Sequence, residues 1–137
     1  MASKNKAMVN SLTSRSLREC AQADWYNNYE DPRSPLGSLL ESIEISEPCS
    51  EKGQQPLTIR IRLLASDRSG RIELTYSGVR SYSLQAFGGG RGTEVHGVLI
   101  KEELHLTKHD WVKHNVKLVG GEWKIEADDA LYQWKAI

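Results

Sequence analysis

The run Phe87-Gly88-Gly89-Gly90-Arg91-Gly92 joins the two residue types that most often meet phosphate. Glycine lets the backbone approach an anion closely, and arginine supplies the charge. A phosphate cradle also needs a lysine and a Ser or Thr at the start of a helix, where free amides and the helix dipole converge. Here Thr93-Glu94-Val95-His96 follows and leads into alternating sequence. The run therefore reads as a connector between strands, with the rim of a ligand pocket as its functional alternative.

The four histidines, His96, His105, His109 and His114, are candidate metal ligands by type. His105 and His109 would converge on a helix, but the surrounding sequence reads as strand, turn and strand, so that spacing carries no meaning there. His105 and His114 could face each other across a hairpin. Adjacent carboxylates, Glu102-Glu103 and Asp128-Asp129, point to opposite faces of a strand and share no substrate easily. The second pair reads as a turn. Glu102 shares parity with Val98, Ile100, Leu104 and Leu106, which would bury it. The favoured expectation is a bulge that turns it outward. No serine sits in a nucleophile elbow. No catalytic residue, metal or cofactor is expected.

The densest remaining stretch is "DWYNNYEDPR", residues 24–33. Tyr, Trp and Arg are typical contact residues because each buries a large area and keeps a polar handle. Trp25 reads first as packing a helix onto a sheet. Tyr26 and Tyr29 read equally as edge cover or as contact surface. The candidate partner-binding residues are Trp25, Tyr26, Tyr29, Glu30, Asp31 and Arg33, with Arg91 of the glycine loop as the next.

The chain has 137 residues, which suggests one domain with its own core. Eighteen basic and eighteen acidic residues cancel, and they cancel in each half. Bulk charge therefore argues against nucleic acid as a partner, since that binding rests on neutralising many phosphates. Cys20 and Cys49 have no metal or redox spacing and read as reduced thiols, which suggests a cytoplasmic location. No apolar run approaches bilayer length, so no membrane is expected. Residues 1–16 read as a flexible tail, with a targeting segment as the lesser reading, and residues 17–137 as the globular domain.

A helix is expected near 17–28, with Ser16 and Glu19 at capping-box spacing and Leu17, Cys20, Ala21 and Trp25 at helical intervals. Pro32 and Pro35 end it. From residue 38 the period is two. Strands are expected at 38–46, 57–64, 71–77, 79–87, 94–107, 111–119, 122–127 and 131–137. Gly78 marks a bulge or turn, and Gly120-Gly121 a hairpin. With no second helical pattern to carry crossovers, the sheet should be antiparallel. The expected fold is mostly β (α+β). It is a twisted antiparallel sheet, sandwich or partly open barrel of six to eight strands with one N-terminal helix.

A short helix ending in Trp25-Tyr26, a proline-containing link into "LLESIEI" and a central "ELTYSGVRSYSL" together resemble the layout of small immunity proteins of bacterial polymorphic toxin systems. The resemblance spans roughly residues 20–127. It implies a cytoplasmic, non-enzymatic, single-domain protein that neutralises a cognate toxin by steric occlusion. The aromatic–His–Asp step of related layouts is replaced here by "SPLGSL", and no catalytic residue is carried over. The alternatives are a small-molecule-binding β-barrel and a small enzyme on the same fold.

Overall fold

The structure is a computed structural model that describes residues 14–47, 57–85 and 97–137. Its elements are strand β1 (Ser14–Ser16), helix α1 (Leu17–Cys20), a 3-10 turn (Asp24–Asn27), and strands β2 (Leu39–Ser46), β3 (Thr58–Leu64), β4 (Gly70–Gln85), β5 (Leu99–Leu106), β6 (Val112–Leu118) and β7 (Gly121–Ala136). All strands form one open antiparallel sheet in the order β2-β3-β4-β7-β6-β5, with β1 alongside β7. The edges β2 and β5 meet at one corner through the bridge Leu39–Val98 and hydrogen bonds such as Leu40 N to Gly97 O, 2.7 Å. Among the described residues no helix is long and apolar enough to cross a membrane.

The alternation in β3 sets the core face. Ile59, Ile61 and Leu63 have no exposed surface, and Arg62 between them points out. Burying each aliphatic side chain contributes roughly 1.5–3 kcal/mol. On the outer face Arg62 pairs with Glu73 at 2.9 Å and Arg71 with Glu41 at 2.8 Å, each joining side chains of different strands. Leu17, Cys20 and Tyr26 pack into the same core as the strand residues.

Three local expectations change. The helix is a single α turn, because Ala23 is extended (φ −78°, ψ 148°) and the chain restarts as a 3-10 turn. Ser16 makes no side-chain cap; it pairs instead with Leu131 as the end of β1, inside the stretch read as a tail. Asp128-Asp129 is not a turn, since β7 runs through it as one strand of 16 residues. What interrupts the alternation is a phase slip. The buried residues of β7 change from Trp123, Ile125 and Ala127 to Ala130 and Tyr132. Opposite, Gly78 of β4 adopts φ +63°, and the register shifts by one between Val79 and Ser81. A kink in both long strands re-aims their side chains without breaking the ladder.

Candidate functional site

Four side chains from four elements form a buried polar chain. Tyr26 comes from the 3-10 turn, Tyr76 from β4, Glu102 from β5 and His114 from β6. Tyr26 donates its hydroxyl to Glu102 Oε1 at 2.7 Å. His114 Nε2 lies 2.7 Å from the same oxygen, and its Nδ1 lies 2.7 Å from the Tyr76 hydroxyl. An ionised carboxylate only accepts, so Nε2 donates to it. With the imidazole in that tautomer, Nδ1 accepts from Tyr76, and every hydrogen bond in the chain runs toward Glu102.

Local sequence explains why an acid reaches the core. Leu99 pairs with Leu118 and Lys101 with Lys117, so Ile100 is one extra residue in β5. This bulge turns Ile100 outward, to 55% exposed, and the following alternation brings Glu102 inward with Leu104. The expected bulge exists, but its effect is the reverse: Glu102 faces the core. It also separates the histidines. His114 lies opposite Leu104, and His105 lies opposite Lys113 on the outer face, so the two do not face each other.

The electrostatics follow from burial and bonding. Desolvation pushes the Glu102 carboxyl up. The His114 and Tyr26 bonds outweigh it and hold the group below the usual carboxylate range. Burial, reinforced by the Glu102 charge, drives the Tyr26 phenol well above its ordinary value. Burial raises Tyr76 as well. Tyr26 therefore remains a hydrogen-bond donor across the ordinary pH range.

The stretch at residues 24–33 divides. Tyr26 is fully buried, so the structure takes it out of the contact surface and into the polar chain. Tyr29 is 67% exposed. Trp25 is half-buried, with its ring centroid 5.4 Å from that of Tyr132 and the Arg33 guanidinium 4.9 Å above it. Asp31 holds Arg33 at 2.9 Å, and that bond keeps the Asp31 carboxyl below its ordinary range. Glu30 is exposed, and its amide is held by Asn28 Oδ1 at 3.0 Å. The backbone beneath is fixed: Tyr132 donates to Arg33 O and Ser34 Oγ to Tyr26 O, each at 2.5 Å. Arg91, His96 and the glycine run lie outside the described residues.

A second surface cluster was not legible as such in the sequence. Arg80 sits 4.1 Å from the Trp111 ring and pairs with Asp128 at 2.7 Å. His109 stacks on the same indole at 5.0 Å, and Trp111 Nε1 donates to Glu126 at 3.1 Å. The register of β6 on β7, Val112 opposite Ala127, was the missing information. Among the described residues no three His, Cys, Asp or Glu side chains gather as a metal site. No protein-family model matches the chain, and searches of curated proteins and of solved structures find no match.

Proposed function

We propose that this protein is a non-enzymatic protein-binding module. On the resemblance in layout, we assign it a cognate bacterial toxin as partner, neutralised by steric occlusion in the cytoplasm. The observation that carries the reading is the Trp25–Arg33–Asp31 stack, pinned from below by Tyr132, with Tyr29 standing out beside it. Aromatic and arginine side chains held in place before contact lose little entropy on binding, which is what makes a surface residue a hot spot. Glu30 and Asp31 add charges that steer encounter and fix register.

The second reading, a small-molecule site or small enzyme on the same sheet, draws on the Glu102–His114 pair. Both side chains are committed to neighbours and almost fully covered, at 7% and 1% exposed. A general base must reach the proton it abstracts. This geometry supports a structural role for the pair.

The test is binding of the purified chain to the product of the adjacent gene, followed by calorimetry. Tyr29→Ala and Arg33→Ala should each weaken binding by about 1–2 kcal/mol, as hot-spot truncations do. Tyr29→Ala should leave the thermal melt unchanged. Unaltered affinity in both variants would place the contact face elsewhere.

A further inference from the structure

We propose that Glu102 is a positioning residue for binding: through the Tyr26 hydroxyl it holds residues 24–33 in the shape that the partner meets. This role rests on the reading of residues 24–33 as the contact face. The Glu102 side chain is 7% exposed, so it acts through Tyr26 and not by contact.

The stretch has little of its own to keep it in shape. Its backbone bonds close single turns: Tyr26 N to Ala23 O, Asn28 N to Trp25 O, Asp31 N to Asn28 O and Ser34 N to Asp31 O, at 2.9–3.2 Å. Isolated turns of this length are marginal in water. Ser34 Oγ donates to Tyr26 O and closes the stretch into a loop. Anchors to the sheet then decide where the loop stands. At its far end the Tyr132 hydroxyl of β7 holds Arg33 O. At its near end the Tyr26 hydroxyl reaches β5 at Glu102 Oε1, 2.7 Å away.

The near anchor governs the surface side chains. Trp25, the adjoining residue, sets its ring edge-on to that of Tyr26, with centroids 5.9 Å apart. Arg33 lies on Trp25, and Asp31 holds Arg33. A shift of Tyr26 is therefore passed to the aromatic and charged groups outside. Glu102 suits the task in two ways. An ionised acceptor makes a stronger hydrogen bond than a neutral one. His114 Nε2 holds the same oxygen from β6 at 2.7 Å, so the acceptor stays with the sheet when the turn moves.

The experiment begins with the free, full-length chain. Amide hydrogen exchange is followed by NMR at Asn28, Asp31 and Ser34, without denaturant and in low urea, where local opening is separate from global unfolding. Tyr26→Phe keeps the buried ring and removes only the hydroxyl. It should speed exchange at the three amides about tenfold or more, as the loss of a hydrogen bond to a charged group would. Glu102→Leu should do the same. Glu102→Gln keeps an oxygen that accepts from Tyr26 and should restore most of the protection. Ile61→Val, a core truncation in β3, should speed only the slowest, globally exchanging amides. Calorimetry with the product of the adjacent gene should then show binding weakened about fivefold or more by Tyr26→Phe and Glu102→Leu, and near the wild-type value for Glu102→Gln and Ile61→Val. Unchanged exchange at the three amides in Tyr26→Phe would make the bond purely structural and overturn the proposal. So would faster exchange with unaltered affinity while Tyr29→Ala weakens binding. If Tyr29→Ala also leaves affinity unaltered, the contact face itself lies elsewhere, and the role of Glu102 in binding falls with it.

Discussion

His114 Nε2 stands 2.7 Å from Glu102 Oε1, with the two side chains 1% and 7% exposed. An acid–base pair so far from water is tolerable only when its remaining hydrogen-bonding groups are satisfied. Tyr26 and Tyr76 do that from opposite ends. Removing one partner should therefore cost more than an ordinary surface substitution. Tyr26→Phe should lower the free energy of unfolding by about 1.5–3 kcal/mol, the range for a hydrogen bond to a charged group. His114→Ala should cost at least as much as Tyr26→Phe, about 2–4 kcal/mol, because it removes a hydrogen bond to the buried carboxylate and also core volume. Urea denaturation checks both. A double-mutant cycle of His114→Ala with Glu102→Gln should recover part of the loss, because the uncompensated charge is gone.

The depressed Glu102 pKa fixes the sign of a pH effect. The unfolded chain protonates a glutamate near about pH 4.3, and the folded chain protonates this one lower. Its contribution to stability is thus fully present above the unfolded value and is lost as pH falls through the folded value. The urea midpoint of the wild type should fall on acidification below about pH 5. Glu102→Gln should start from lower stability at neutral pH and show a shallower acid decline. Parallel declines in the two proteins would mean that other carboxylates, such as Asp31 beside Arg33, account for the acid sensitivity.

At the kink of the two long strands, Gly78 has φ +63°, and a Cβ there would lie 2.3 Å from Asp128 Oδ2. Gly78→Ala meets two separable costs. Left-handed backbone costs a non-glycine residue roughly 1–2 kcal/mol. Displacing Asp128 also breaks its exposed pair with Arg80, worth about 1 kcal/mol at most. The variant should lose about 1–3 kcal/mol in chemical denaturation. In an Asp128→Ala background the loss should shrink without vanishing.

The sheet was largely written in the alternation of the sequence. Leu57 to Leu64 and Val112 to Leu118 each keep period two, and each folds as the pattern reads. The antiparallel arrangement followed from the lack of crossover helices. The site was less legible because one-residue slips decide which face a side chain takes. The parity of Glu102 with Val98 and Ile100 pointed inward, and a bulge was expected to undo it. The bulge falls at Ile100 and leaves Glu102 inside. Tyr26 read equally as edge cover or as contact surface, because nothing local set its direction. The break at Ala23 aims it at the core instead. The partners of Glu102 come from 12 and 76 residues away. No local pattern reports such pairings.

Strand β7 borders β4 along one edge, while its other edge is shared between β6 and β1. The β2–β3–β4 unit and the β5–β6 hairpin are joined as a sheet only through it, apart from the corner at Leu39 and Val98. Ser14 meets Gln133 across almost the whole described chain. Such non-local pairing slows folding, because loop-closure entropy is lost before the contacts repay it. On the ribosome the two earlier units emerge with open edges and no common strand to join them. Assembly waits until residue 136 has cleared the exit tunnel, so folding of this sheet is completed after translation of β7. During that interval the edges of β4 and β6 that β7 later covers present unpaired backbone groups, the kind of surface on which chains mispair.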